Sequence, residues 1–188
     1  MKAAPQLKAI FFRFFLLIIL VCISSCKKTN PIENSLKSEA FVKTEKEEIE
    51  AFFFIATANV TKSIISKSQI AQQKSSDFAI QDLSRKTEIE QTELLQEVSK
   101  LANKKLIIIT EINATHKRDL YDLIDSNITS FNKIYLTSMA ESLKEQINLF
   151  ESISKETNDK EILKIVLHYL PEQYQILREM QRINNEII

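Results

Sequence analysis

Not one of the 188 residues is glycine. Glycine alone reaches positive φ without a Cβ clash. Primed hairpin turns, phosphate-cradling loops and the strained elbows that present nucleophiles all draw on such positions. Tight β architecture, P-loops and dinucleotide folds are therefore disfavoured together. Trp is absent and only three prolines occur, while Glu, Lys, Gln, Leu, Ile and Ser are abundant. Straight-chain residues lose little freedom in a helix, so the composition predicts an all-α chain of long helices.

Four apolar stripes at helical spacing place those helices. The first spans about Glu45 to Gln73, with Ile49, Phe53, Ala56, Val60, Ile64 and Ala71 inward and Phe52 and Phe54 widening the stripe. The second opens near Ser76-Asp77 and runs to Ala102 (Ile80, Leu83, Thr87, Leu94, Val98, Leu101). The third covers Ser130 to Glu156 (Leu136, Met139, Leu143, Ile147, Phe150, Ile153). The fourth opens on a cap at Asn158-Asp159 and carries Ile162, Val166, Tyr169, Ile176, Met180 and Ile183. Pro171 should bend it, since proline has no N–H for the preceding turn.

Short links make helices one and two antiparallel, and likewise three and four. The link between two and three is about 27 residues and holds KKLIIITEI (Lys104 to Ile112) and a short helix near Thr115 to Ile124. At ~3.3 Å per extended residue and ~1.5 Å per helical one, it could cross a bundle of about 40 Å. The expected fold is thus a four-helix bundle, ferritin-like, with a long crossover containing one short helix between helices 2 and 3; the alternative is an up-down-up-down bundle. Leu106 to Ile109 could form a strand but has no partner strand, which makes it an apolar strap along the bundle.

The N-terminus reads differently. Lys2, Lys8 and Arg13 precede the apolar run FFLLIILVCI, Phe14 to Ile23. A membrane-spanning helix needs about 20 apolar residues, a secretory h-region about 7 to 15. Ten residues predict an export signal over 1–25 rather than a retained anchor. Ile23-Ser24-Ser25-Cys26 resembles a bacterial lipobox, and the resemblance implies cleavage before Cys26 and acylation of its thiol. Cys22 follows bulky Val21 and does not fit. A Cys22–Cys26 disulfide is the competing use of the pair, weakened because both lie in or beside the discarded segment. Residues 26–42 then form a lipid-anchored polar tether and 43–188 the bundle domain. Cys22 and Cys26 are the only cysteines, so the mature domain would hold no thiol for catalysis, metal or disulfide. Lys27 and Lys28 follow the cysteine where inner-membrane lipoproteins carry Asp, which points to the outer membrane facing the periplasm.

Three of the 25 basic residues and none of the 25 acidic ones lie before Cys26, leaving the mature chain three units negative. That excludes an electrostatic footprint for nucleic acid. A bundle di-metal site needs Glu-x-x-His on two helices. His116 and His168 are the only histidines, and Asn113 and Ile165 stand where the Glu would be. His116 reads as surface and His168 as a satisfied or partly exposed helix residue. Glu90, Glu93 and Glu97 share a face that Arg85, Lys86 and Lys100 make a solvated charged surface. Asn59, inside the apolar part of the first helix, must find partners if buried; it could fix helix register or line a small ligand pocket. No serine has a legible His and acid partner, so no catalytic residue, metal or cofactor is assigned.

Read together, FFFIATANVTKSIISKSQIA (Phe52 to Ala71), FNKIYLTSM (Phe131 to Met139), INLFES (Ile147 to Ser152) and HYLPEQYQIL (His168 to Leu177) resemble the domain-of-unknown-function 4142 family. That resemblance implies a ferritin-like helical protein of the bacterial envelope. Family histidines correspond to positions around Lys86, Leu143 and Gln175-Ile176, so it gives this chain no histidine ligands. The expectation is a lipid-anchored, non-enzymatic bundle that binds or packs, its protein partner or small ligand unspecified. A metal or redox protein using carboxylates, or a carrier of a small apolar ligand, are the alternatives.

Overall fold

A computed structural model describes residues 31–186, with side chains described from Glu45. Five helices follow one another: α1 (Pro31–Lys74), α2 (Phe78–Lys104), α3 (Ala114–Asp125), α4 (Ile128–Glu156) and α5 (Lys160–Glu186). No strand occurs among the described residues. The bundle is the unit Lys43–Ile188; a separate unit, Met1–Val42, contains the opening stretch of α1. The helix thus begins earlier than the stripe suggests. Proline is well placed at a first helical position, where its missing N–H would have had no intrahelical acceptor. The stripe locates a buried face, and a helix can run on beyond it.

Caps set the other boundaries. The Asp77 carboxylate accepts from the Ala79 and Ile80 N–H groups, at 2.8 and 3.3 Å. Asn113 accepts from the His116 N–H at 2.9 Å, Asn127 from Ser130 at 3.0 Å, and Asp159 from Glu161 at 2.8 Å. Each satisfies an N–H that the first turn leaves open. α5 continues through Pro171 without a break; the carbonyl that a residue at this position would have served belongs to Leu167, on the exposed face.

The C-terminal end of α2 needs glycine and does not have it. Ile107 N–H donates to the Ala102 carbonyl (2.9 Å) and Leu106 N–H to Asn103 (3.0 Å), a Schellman closure. It requires a left-handed residue, and Leu106 takes φ 60°.

Hydrogen bonds trace the crossover. Lys105 Nζ reaches Glu50 Oε2 at 2.9 Å, Asn113 N–H reaches Asn59 Oδ1 at 2.9 Å, and Lys74 Nζ donates to the Ile124 and Ser126 carbonyls at 2.6 and 2.9 Å. The strap and α3 therefore climb α1 from Glu50 to Lys74, and α2 and α4 run in the same direction. Two antiparallel hairpins joined by a long crossover are what these contacts describe.

The core comes in two apolar clusters. One holds Phe53, Phe54, Leu94, Val98, Phe150 and Val166 among others; the second holds Ile64, Ile80, Phe131, Leu136, Met139 and Met180 among others. Burying each such side chain contributes about 1.5–3 kcal/mol. From Glu45 to Lys74, α1 is long and apolar enough to cross a membrane by length and composition, but 56% of the qualifying window is buried inside the bundle. A core helix has the same character. Phe52, expected inward, is 66% exposed, because Phe53 and Phe54 already fill the face directed at α2 and α4.

Candidate functional site

Between the two apolar clusters lies a polar layer to which all four long helices contribute. Gln146 Nε2 on α4 donates to Thr61 Oγ1 on α1 (2.7 Å) and to Gln91 Oε1 on α2 (2.8 Å). Gln91 Nε2 donates in turn to Gln173 Oε1 on α5 at 2.6 Å. All four residues are fully buried. Gln146 Oε1, Gln173 Nε2 and the nearby Thr57 hydroxyl find no partner among the described residues. The layer is neutral: amides and hydroxyls fix helix register through directional bonds, without the charge that would draw a cation.

A second polar site runs along the α1 face that meets the crossover. Asn59, Ser63 and Lys67 recur every fourth residue and are all buried. Asn59 Nδ2 donates to the Ile55 carbonyl at 2.9 Å and lies 3.4 Å from Thr110 Oγ1, while Oδ1 accepts from Asn113. Both ends of the amide are thereby spent on docking the strap and the start of α3. Lys67 is only 1% exposed and its amine donates to Ser142 Oγ on α4 at 2.9 Å. Asp119 Oδ2 on α3 stands 3.5 Å away. Burial pulls the lysine below its ordinary range, with Asp119, Glu141 and Glu145 pulling the other way. Asp119 and Ser138 also line a surface cleft of about 400 Å³ with Asp122, Lys133 and Glu141.

His116 departs from expectation. It reads as surface in a polar tetrapeptide, yet its side chain is 5% exposed and neither ring nitrogen has a hydrogen-bond partner among the described residues. Glu145 Oε1 stands 3.6 Å from Nε2, beyond hydrogen-bond reach. The reason is the docking of α3: His116 and Leu123 lie seven residues apart on the one face that turns inward. His168 is exposed.

The three-glutamate face divides. Glu93 and Glu97 are exposed, whereas Glu90 is half-buried with one carboxylate oxygen unpartnered. Burial, then the Glu172 carboxylate, raises its pKa. It borders a cleft of about 410 Å³ between α2 and α5. Lys86 turns to Asp82 instead, at 2.8 Å. Among the described residues no group of three His, Cys, Asp or Glu side chains is placed to hold a metal.

Sequence reasoning singles out Asn59 but passes over Ser63, Lys67 and Ser142. The i, i+4 recurrence of polar residues in Asn59-Ser63-Lys67 is the signal that could have found them: it is a second buried face, turned toward the crossover. Cys22 and Cys26 lie outside the described residues. The family Domain of unknown function (DUF4142) matches residues 39–183, and the chain belongs to it. No curated protein and no solved structure matches.

Proposed function

We propose that this member of the DUF4142 family is a bacterial envelope protein anchored by lipid on Cys26, with a helical bundle that acts by binding or packing and not by catalysis. The observation that carries the reading is the order at the N-terminus: three basic residues, ten apolar ones, then Ile23-Ser24-Ser25-Cys26. Each buried methylene of an acyl chain contributes about 0.8 kcal/mol, so two or three chains hold a protein stably where one does not. Lys27 and Lys28 after the cysteine favour the outer membrane, facing the periplasm. The neutral glutamine layer and the occupied Lys67 amine support binding or packing over chemistry.

Mass spectrometry of the mature N-terminus, combined with membrane fractionation of the natural chain and Cys26→Ser, tests it. The expected result is a diacylglyceryl-modified Cys26 at the N-terminus, and loss of processing in the variant. An unmodified, uncleaved natural chain, with Cys26→Ser equally membrane-bound, overturns it.

A further inference from the structure

The glutamine layer does not satisfy itself. Its polar groups form a row, Thr61 to Gln146 to Gln91 to Gln173, in which both ends of the central Gln91 amide are spent. Each outer amide keeps one atom with no partner among the described residues: Gln146 Oε1, an acceptor, and Gln173 Nε2, a donor. The Thr57 hydroxyl, a turn before Thr61 on α1, is unpartnered as well. All of these side chains are fully buried. Folded chains rarely leave a buried polar group unpaired, because its lost hydration is then uncompensated.

The polarity of the row decides what can answer it. Turning over one amide alone would set N–H against N–H or carbonyl against carbonyl. Turning over all three keeps every link and merely exchanges the roles, so that Gln146 presents the donor and Gln173 the acceptor. Either way the layer offers one donor and one acceptor. A cation would be repelled by the N–H and an anion by the carbonyl; a neutral group that both donates and accepts suits both. We propose that the layer is a binding site for internal water, which donates to one outer glutamine, accepts from the other and bonds the Thr57 hydroxyl. Buried water typically makes about three hydrogen bonds, to groups that would otherwise stay unpaired. Apolar clusters lie to either side of the layer, so water held there leaves only when the helices part, and its residence is long. This site is independent of how the chain is anchored.

Oxygen-17 relaxation dispersion of water, recorded on the full chain in detergent, detects long-lived internal water and is blind to exchanging hydroxyl and amide protons. The natural chain is compared with Thr57→Val and Gln173→Met, which remove one unpartnered group each at similar volume. Thr92→Val is the control, since that hydroxyl already donates to the Glu88 carbonyl at 2.7 Å. Circular dichroism checks that each variant keeps its helices, and Thr57→Val carries the comparison alone if Gln173→Met does not fold. The dispersion amplitude should fall from that of the natural chain in at least one layer variant and stay unchanged in Thr92→Val. Equal amplitudes throughout, or an equal fall in the control, overturn the proposal.

Discussion

Leu106 stands where most helices end in glycine. The left-handed conformation costs a leucine on the order of 1 kcal/mol, and φ 60° is imposed by the closure bonds to Ala102 and Asn103. Replacement by glycine removes that cost but gives back unfolded-state entropy. Leu106→Gly should therefore raise the unfolding free energy by roughly 0.5–1 kcal/mol, read from urea melts. A loss of stability would show that the leucine side chain packs in solution. Lys67 is the other costly residue. Its amine is desolvated, and the Ser142 hydroxyl, the Ser138 carbonyl at 3.4 Å and a partly exposed carboxylate are incomplete compensation.

At the scale of elements, the crossover is the part held by individual polar bonds. Asn59→Ala leaves the Asn113 N–H without an acceptor and frees Thr110, and should cost about 2 kcal/mol. Hydrogen exchange over residues 106–125 should quicken before that of α4 or α5; a uniform change along the chain would show that Asn59 does not dock the crossover. The long helices were legible because their apolar residues recur over many turns: every core position expected on α4 and α5 is buried. α3 was legible in extent but not in orientation. Twelve residues with two buried positions offer too short a pattern to tell which face turns inward, and His116 was misjudged for that reason.

At the scale of the whole molecule, buried Lys67, Tyr135 and Tyr169 shape the alkaline behaviour; burial, then the Glu97 carboxylate, pushes Tyr169 up to about 12. Lys67 titrates below 10.5 in the fold. In the interval beneath 10.5 the unfolded chain holds a proton that the folded chain has shed, so stability rises with pH there. Burial pushes the Tyr135 hydroxyl up from 10.0 to about 12, against the Ser84 hydroxyl at 2.7 Å. Between pH 10 and 12 the unfolded chain loses a proton that the fold keeps, and stability falls by on the order of 3 kcal/mol. Urea unfolding across pH 8 to 12 should show a rise and then a fall. Lys67→Met should flatten the rising limb, and Tyr135→Phe should shrink the falling one, leaving the part that Tyr169 carries; an unchanged profile in either variant removes that group as a cause.

Freedom from glycine and the four apolar stripes were enough to determine an all-helical bundle, since burial of a periodic face is a local, repeated demand. The leader proposed for residues 1–25 likewise rests on the order and length of its segments alone. Which polar residues meet inside was settled only by tertiary structure. Thr61, Gln91, Gln146 and Gln173 come from four helices, and Lys67, Asp119 and Ser142 from three. Their pairing depends on the axial offset between helices, which no single stripe encodes: a shift of one turn would keep every apolar face buried and break each of these bonds.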